Sequence, residues 1–446
     1  MKCVLLAVML IPATVLADWP TYQHDVRRSG VTDESLSFPL KQTWVRQSQR
    51  PPDPAWTGPA KWDAWAGNRE LQSMRNFDPC FFVTASENQL FFGSSVDDAV
   101  HAIDAASGNE SWVYFTGAAV RFPPTIHDSR VYFGSDDGWV YCCDQKGGSL
   151  VWRKAASLEN RPITSNRKII STWPVRTGVL IQDDRAFFAG SLVPWEKSFL
   201  WKVDAATGDH LAADCFRQEI AEVTLQGAML ASSERLYLPQ GRAAPLAFDL
   251  ANGKSQGAIG EAGGVFCVLT DDEWLLSGPA NQKSPDDQVR IADGRNRRRL
   301  ATFGGATRVL IDGTQAWVPS GDKLKLLDRK AFVDAQAAID AATAKIKEQK
   351  PPTDSAKAAL AAAEQEQAAA WRWEIDCEPP TGFIKAGNTL LVGLQDEVRA
   401  YAADKGELVW SGRVDGMAHG LAVSGGRLFV STGRGHIYAF AAESSE

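Results

Sequence analysis

The stretch LFFGSSVDDAVHAIDAASGNESW, residues Leu90 to Trp112, sets the pattern for this chain of 446 residues. It contains an apolar strand that ends at a glycine, a second strand, a turn of the form D-x-x-[ST]-G, and a third strand that carries a Trp. The stretch VYFGSDDGWVYCCDQKGGSLVW, residues Val131 to Trp152, repeats it, and its Asp, Gly and Trp each lie 40 residues beyond their counterparts. A repeat of this length made only of strands is typical of a β-propeller.

Looser copies of the same phrase continue along the chain, and the strand that we take as the inner one of each copy begins near one of eight positions: Leu90, Val131, Ala186, Leu236, Trp274, Ala316, Leu390 and Leu428. The last copy, RLFVSTGRGHIYAF, stops before its Trp strand. The stretch LKQTWVRQ, Leu40 to Gln47, has no hairpin partner beside it in the sequence. We therefore predict an all-β, eight-bladed propeller in which this N-terminal strand completes the last blade.

Each part of the phrase has a physical role in a blade. The Asp before Thr-Gly or Ser-Gly caps a tight turn with its side chain, and the Gly permits a positive φ. The Trp can lie over the adjacent blade and bury an area that contributes about 2 kcal/mol or more. Blades three and four lack this Trp, because Ala212 and Gly257 occupy its place.

The ends and the composition of the chain restrict its location and its partners. Lys2, the apolar run from Cys3 to Leu16 and the small residue Ala17 predict a signal peptide over residues 1–17, so that a single propeller domain spans 18–446. We see no further apolar run long enough to cross a bilayer, and we expect an exported, soluble protein, periplasmic or secreted. The formal net charge is −7 and no basic stripe is present, which argues against nucleic acid as a partner. The short run RNRRR, Arg295 to Arg299, is interpreted as a solvated strand edge.

An Ala-, Glu-, Gln- and Lys-rich segment, residues 329–371, interrupts blade six. Its apolar residues recur at alternating spacings of three and four, first from Phe332 to Ile346 and then from Ala356 to Ala370, and this spacing is typical of coiled-coil seams. We predict an antiparallel helical hairpin that leaves the blade between its third and fourth strands and projects about 30 Å. Two interpretations stay open, a tolerated insertion on the rim and a docking arm for a protein partner.

The repeated phrase and the opening DWPTYQHDVRRSG resemble the pyrroloquinoline quinone (PQQ)-like eight-bladed propeller family, with its tryptophan-docking repeats. The resemblance covers nearly the whole chain beyond the signal peptide except the helical hairpin. It implies two functional classes. One contains quinoprotein dehydrogenases that hold PQQ and Ca²⁺ on the propeller axis. The other contains non-enzymatic propellers that take part in assembling outer-membrane proteins.

The adjacent cysteines Cys142 and Cys143 are the feature that points toward the dehydrogenases, because the resemblance implies a bridge between neighbouring cysteines that stacks on the cofactor. In this chain they occupy the repeat positions of Ala102 and Ile103, inside a strand. Neighbouring side chains of a strand point to opposite faces, so we interpret both as buried thiols. The carboxylate and Asn set that the resemblance implies for Ca²⁺ cannot be mapped onto this sequence.

Loops at the mouth of the propeller supply the candidate binding residues. Acidic pairs at hairpin tips can bind Ca²⁺ or form ordinary turns. Trp, Arg and Glu side chains in loops that the repeat does not require suit a ligand or a partner. The candidate ligand- or partner-binding residues are Arg75, Asp78, Asp97, Asp98, Arg121, Trp173, Arg176, Trp195 and Glu196.

No catalytic, cofactor-binding or metal-binding residue is assigned from the sequence. The main hypothesis is a non-catalytic exported propeller that acts as a binding or assembly scaffold for a protein partner in the cell envelope, and the 329–371 hairpin is one candidate contact for that partner. The first alternative is a PQQ- and Ca²⁺-dependent oxidoreductase. A further alternative is a carbohydrate-binding propeller, suggested by the loop Trp residues.

Overall fold

The computed structural model of the chain describes residues 18–56, 77–165, 167–241, 243–260, 263–264, 266–278, 287–348, 351 and 353–443. Two strands precede the blades, β1 (Val31–Thr32) and β2 (Leu40–Arg46). The predicted signal peptide, residues 1–17, lies outside the described residues.

The first half of the ring follows in chain order. Blade one contains β3 (Val83–Ser86), β4 (Gln89–Ser94), β5 (Ala99–Asp104) and β6 (Glu110–Phe115). Blade two contains β7 (Thr125–His127), β8 (Arg130–Gly134), β9 (Trp139–Asp144) and β10 (Leu150–Ala155). A separate hairpin then consists of β11 (Pro162–Ser165) and β12 (Lys168–Ser171). Blade three contains β13 (Leu180–Gln182), β14 (Arg185–Gly190), β15 (Ser198–Asp204) and β16 (Phe216–Ile220). Blade four contains β17 (Leu230–Ala231), β18 (Arg235–Gln240), β19 (Ala243–Asp249) and β20 (Ser255–Ala258).

The second half includes the two helices. Blade five contains β21 (Phe266–Leu269), β22 (Trp274–Gly278), β23 (Gln288–Asp293) and β24 (Arg299–Gly304). Blade six contains β25 (Leu310–Asp312), β26 (Gln315–Ser320) and β27 (Lys323–Asp328), then helices α1 (Arg329–Glu348) and α2 (Asp354–Ala369), and last β28 (Trp371–Asp376). Blade seven contains β29 (Gly382–Ala386), β30 (Thr389–Gly393), β31 (Gln395–Ala402) and the first half of β32 (Leu408–Ser424). Blade eight contains the second half of β32, then β33 (Arg427–Thr432), β34 (Ile437–Ala442) and β2.

The predicted closure of the ring is confirmed. Strand β2 pairs antiparallel with β34, from Leu40 opposite Ala442 to Arg46 opposite Ile437. Its Trp44 donates its indole N–H to the carbonyl of Ala105 in blade one, at 3.1 Å. The N-terminal strand therefore completes blade eight and ties it to blade one.

One detail of the predicted blades is wrong. The eight strands taken as the inner ones are the second strands of their blades, β4, β8, β14, β18, β22, β26, β30 and β33. Another strand precedes each of them in its blade, and several of these first strands, such as β3 and β7 or β25 and β29, contact each other around the axis. The sequence signal misses them because they have two to five residues in most blades and carry none of the repeated Gly, Asp or Trp.

The opening segment, residues 18–32, crosses the centre of the ring and bonds to the inner strands of five blades. Trp19 exchanges two backbone hydrogen bonds with Ala85 in blade one, and the carbonyl of Pro20 accepts from Ile126 in blade two. The carbonyls of Val26, Arg27 and Gly30 accept from Ala231, Leu269 and Lys385 in blades four, five and seven. The buried Arg28 donates to the carbonyl of Met229 at 2.8 Å. This segment therefore holds opposite sides of the propeller together.

The Trp residues join neighbouring blades as predicted. Trp112 of blade one donates its indole N–H to the carbonyl of Gln145 in blade two, at 2.9 Å. Its ring covers Gly148 so closely that a Cβ at that position would lie only 2.5 Å from the nearest ring atom. Trp152 does the same to blade three, with Gly208 under its ring. In blade three the place of the missing Trp is taken by Phe216, whose ring packs on Gly253. The glycines have φ near +70°, so these turns suit Gly for two independent reasons.

The helical hairpin leaves blade six between its third and fourth strands, as predicted. Phe332 and Ala335 of α1 and Ala356 and Ala363 of α2 are buried, and Ile339 is half-buried, in agreement with the predicted seams. Coiled-coil packing itself stays a prediction. Neither helix in the described part of the chain has the length and apolarity needed to cross a membrane.

Candidate functional site

Three of the predicted site residues, Asp78, Arg121 and Arg176, meet a fourth charged residue, Asp136, at one mouth of the propeller. Asp78 precedes β3, Arg121 follows blade one, Asp136 lies in the turn between β8 and β9, and Arg176 precedes β13. All four side chains are buried, with exposed fractions of 4% or less. We call these four residues the mouth cluster. Its two carboxylates and two guanidinium groups carry no net formal charge.

Asp136 is the centre of the mouth cluster. Its Oδ2 accepts from Nε of Arg121 at 2.6 Å, while Nε and Nη2 of Arg176 donate to both of its carboxylate oxygens at 2.8 Å. Burial by itself raises the pKa of this carboxyl, but the two positive charges outweigh that effect and lower the pKa to about 2. Asp136 is therefore ionised at physiological pH and bound to both arginines.

Asp78 and Arg121 attach a loop to the blades. Nη1 of Arg121 donates to Asp78 at 2.6 Å and to the carbonyl of Asp53 at 2.7 Å, and the backbone N–H of Ala55 donates to Asp78 at 2.9 Å. Burial raises the pKa of Asp78, and the neighbouring Arg121 opposes that rise. These contacts hold residues 53–55 against the mouth, so the cluster stabilises the loop rather than presenting free charges.

Arg176 also faces the aromatic residue Trp56, whose ring lies 5.5 Å from its guanidinium carbon. The indole N–H of Trp56 donates to Gln226 Oε1 at 2.6 Å. Within the described residues, Nη1 of Arg176 and Nε2 of Gln226 are buried without a hydrogen-bond partner. Residues 57–76, which include the predicted site residue Arg75, lie outside the described residues.

Other side chains bind both members of the acidic pair Asp97 and Asp98. Asp97 lies 2.9 Å from Nε2 of His101, whose Nδ1 lies 2.9 Å from Glu110, and Asp98 pairs with Lys168. Burial opposes the ionisation of Asp97, but hydrogen bonds from His101 and Ser94 lower its pKa to about 2. The two carboxylates therefore belong to separate contacts, a hydrogen bond with His101 and an ion pair with Lys168, at the edge of the mouth.

These carboxylates do not fit a Ca²⁺ ion. A Ca²⁺ site needs six to eight oxygen ligands directed at one point. Asp136 is saturated by two arginines, and Asp97 and Asp98 face different partners. Among the residues that the structure describes, no group of three His, Cys, Asp or Glu side chains is placed to hold a metal ion.

Cys142 and Cys143 do not fit a cofactor-stacking role either. Both are fully buried in β9 as free thiols. Cys142 packs with Trp152 and Tyr132 on the side of blade three, and Cys143 packs with Phe133 and the other residues on the side of blade one. The two side chains lie on opposite faces of the strand, as the sequence predicted.

Trp173, Trp195 and Glu196 lie together at the next part of the mouth. Trp173 is buried, donates its indole N–H to the carbonyl of Lys197 at 2.6 Å, and has the guanidinium of Arg161 4.9 Å above its ring. The same Arg161 forms an ion pair with Glu196 at 2.6 Å. Trp195, in contrast, is 79% exposed.

The hairpin β11–β12 and the loop 191–197 pack together into one continuous surface, which we call the platform. Ile170 of the hairpin packs with Leu192 of the loop, and Ile163 and Val193 add to this contact. Ile169 and Trp195 stay exposed on it, at 68% and 79%. This hairpin was not predicted from the sequence, although the short apolar runs ITS and KII on either side of the polar pair Asn166-Arg167 are typical of two paired strands.

His419, in β32, lies beside Asp78 and Pro79 in a cavity of about 360 Å³ at the same mouth. Burial lowers its pKa to about 4, and the positive charge of Arg308 adds to the effect. This histidine is therefore neutral at physiological pH.

The chain is similar in sequence to a known protein family and to one of its named members. The model of the family described as outer membrane protein assembly factor BamB matches residues 56–172, 96–263 and 356–446, together more than half of the chain. The outer membrane protein assembly factor BamB of Taylorella asinigenitalis (strain MCE3) is 28% identical over 131 residues, which is 27% of this chain and 32% of the relative. The chain thus matches about a third of the length of that relative.

Solved structures share the fold. A europium-containing methanol dehydrogenase superposes with a TM-score of 0.59 and 10% identity, over 96% of this chain and 98% of its own. The quinohemoprotein alcohol dehydrogenase ADHIIG from Pseudomonas putida HK5 has a TM-score of 0.59 and 11% identity, over 96% of this chain and 81% of its own. At such identities the likeness extends to the propeller fold alone. Fold, repeats and family match agree, and the chain belongs to the PQQ-like propeller family described as outer membrane protein assembly factor BamB.

Proposed function

We propose that this chain is a non-catalytic scaffold of the cell envelope, which binds partner proteins during assembly of outer-membrane components. Family membership and the name of the Taylorella relative support this role. The observation that carries it is the mouth cluster: the charged residues at the mouth bind each other and the loop, and leave no free acid, base or metal ligand among themselves. Export to the periplasm belongs to the same proposal and rests on the predicted signal peptide.

The platform is the proposed contact surface for the partner. An exposed Trp held on a rigid support is the kind of residue that contributes most to protein–protein affinity. Trp195 projects from a loop that is held by the ion pair of Arg161 with Glu196 and by the apolar contact of Leu192 with Ile170. Ile169, exposed on the neighbouring hairpin, extends the apolar area.

The test is affinity capture from the envelope fraction with three forms of the purified full chain: wild type, Trp195→Ala combined with Ile169→Asp, and Leu211→Asp. Leu211 is 80% exposed and lies outside the platform, so it is the matched control. We expect outer-membrane assembly proteins to be enriched by the wild type and the control, and lost with the platform variant. Equal capture by all three forms contradicts the platform as contact surface.

The alternative is a PQQ- and Ca²⁺-dependent oxidoreductase, and it has its own test. Calorimetric titration with PQQ, with and without Ca²⁺, is followed by a dye-linked alcohol oxidation assay. The scaffold proposal expects neither binding nor turnover. Tight, Ca²⁺-dependent binding with turnover overturns it.

A further inference from the structure

We infer that the groove between helix α1 and the outer edge of blade five is a docking site for an extended, acidic peptide segment of a partner protein. The inference rests on the proposed scaffold function and adds a second contact site to it. The groove has a volume of about 890 Å³. It lies between Arg297–Leu300 on the blade and Val333–Ala341 on the helix, with Trp274 at its base. We call it the hairpin groove.

The base of the helix is firmly attached to the blades. Phe332 packs on Phe303 of β24 with ring centroids 5.2 Å apart, and on Trp371 at 5.7 Å. The guanidinium of Arg329 lies 4.7 Å above the ring of Trp274 and donates to Asp272 at 2.9 Å. The groove is therefore bounded by a wall that blade five and blade six hold in place.

Beyond this base the helix wall is lined by small side chains. Val333 is followed by Ala337 and Ala341 at spacings of four, so the three lie on one face of α1. Both alanines are exposed and line the groove. Small side chains at these positions leave space for another backbone to lie close to the helix.

The opposite wall offers a strand edge. Strand β24 is the outermost strand of its sheet, and no described strand pairs with its outer side. Outward-facing backbone N–H and C=O groups of such an edge can bind an added strand, which is a common way of recognising an extended peptide. The first residues of β24, Arg299 and Leu300, line the groove, and farther along the strand Phe303 packs against Phe332 at the base of the helix. The edge that faces the groove is therefore the beginning of β24.

The charge of the blade wall identifies the peptide as acidic. Arg297, Arg298 and Arg299 are all exposed along the groove. Nη1 of Arg297 donates to the carbonyl of Gln256 at 2.6 Å, whereas Arg298 and Arg299 have no carboxylate partner within the described residues. Two other arginines nearby, Arg235 and Arg295, do have a carboxylate partner, because both form an ion pair with Glu273 at 2.9 Å. Two unpaired guanidinium groups in a chain of net charge −7 are suited to carboxylates of another molecule.

The helix wall restricts the sequence of the peptide further. Asp334 and Asp340 line the groove on the side of α1 and repel carboxylates there. Successive side chains of an extended peptide point to opposite sides, so one strand can present acids to the arginines and neutral or basic side chains to the helix. The same two aspartates disfavour a nucleic acid, which carries negative charge on all sides. The hairpin groove thus selects an alternating peptide with acidic residues at every second position.

The experiment measures fluorescence anisotropy of labelled eight-residue peptides with the purified full chain at low ionic strength. The probes are alternating Glu/Val, alternating Lys/Val and alternating Glu/Pro, the last being acidic but unable to add to a strand edge. We expect Glu/Val to bind about tenfold more tightly than either other peptide. Arg298→Glu combined with Arg299→Glu, and separately Ala337→Trp, should each weaken its binding about tenfold.

The matched control is Lys146→Glu combined with Lys405→Glu, which reverses two exposed charges at the corresponding turns of blades two and seven. It should leave Glu/Val binding unchanged, and equal melting temperatures show that all variants are folded. No preference for Glu/Val, or a preference that survives both groove variants, overturns the hairpin groove as the site. Because capture through the platform is measured separately, such a result leaves the scaffold function standing.

Discussion

The mouth cluster and the platform lie side by side at one end of the propeller, yet their side chains are used in opposite ways. In the mouth cluster, Asp136 and Arg121 are buried and bind partners from the same chain. On the platform, ion pairing and apolar packing support a Trp that itself stays 79% exposed. Charged loop residues outside the repeat can thus hold a fold together, while the free surface next to them is aromatic.

The largest effect should come from opening the mouth cluster. Asp136→Ala leaves Arg121 and Arg176 buried without their shared carboxylate, and we expect the free energy of unfolding to fall by about 3–5 kcal/mol. Urea unfolding monitored by Trp fluorescence measures it.

The control for that change is Asp376→Ala, which removes an ion pair with Lys323 on the surface, where the Asp side chain is 88% exposed. Exposed pairs contribute less than about 1 kcal/mol. If Asp136→Ala costs no more than this control, the mouth cluster does not have the structural role that we assign to it.

A smaller effect concerns pH and another buried group at this mouth. The pKa of His419 is lowered to about 4, so between its unfolded value of about 6.5 and pH 4 the unfolded chain takes up a proton that the folded chain does not. Stability should therefore decrease as the pH falls through this window, by up to about 3 kcal/mol. Urea unfolding at several pH values measures it.

His419→Gln should flatten the decrease over this pH range. Asp136 does not produce the same effect, because its pKa of about 2 lies below its unfolded value, so its contribution is present above about pH 4 and is lost only at lower pH. A wild-type decrease that persists unchanged in His419→Gln assigns the pH dependence to other groups.

The fold was largely predictable from the sequence because it is repetitive. Each copy of the phrase places Gly, Asp and Trp at the same distances, and the Trp–Gly contacts between blades, such as Trp112 with Gly148, follow from that spacing. The closing strand and the helical hairpin were also predictable, since one completes an unfinished repeat and the other has helical periodicity. The path of residues 18–32 across the ring, with hydrogen bonds to five blades, was not predictable, because these backbone hydrogen bonds follow no periodic sequence pattern.

The candidate site was predictable by residue type but not by role. Arg121, Asp136 and Arg176 are 15 and 40 residues apart in the sequence, and only the approach of blades one, two and three brings them into contact. Trp173 and Trp195 likewise read as equivalent loop tryptophans, yet one is buried under Arg161 and the other is exposed. Side-chain pairing between blades depends on the geometry of the ring, which no single repeat encodes.

The smallest effect on stability is expected for Trp195, the exposed residue of the platform. Trp195→Ala removes a side chain that is 79% exposed, and we expect the free energy of unfolding to change by less than about 0.5 kcal/mol. Trp173→Ala, which removes the same side chain from a buried position, should cost about 3 kcal/mol or more. Urea unfolding of the two variants in parallel measures both values.

Comparing the two tryptophans distinguishes a role in stabilising the fold from a role in binding a partner. If Trp195 serves partner binding, Trp195→Ala must weaken capture of the partner while the protein remains as stable as the wild type. A loss of stability above about 1 kcal/mol instead means that Trp195 packs on the propeller in solution. The platform then resembles the mouth cluster, with its side chains bound to the chain itself, and the partner surface must lie elsewhere on the ring.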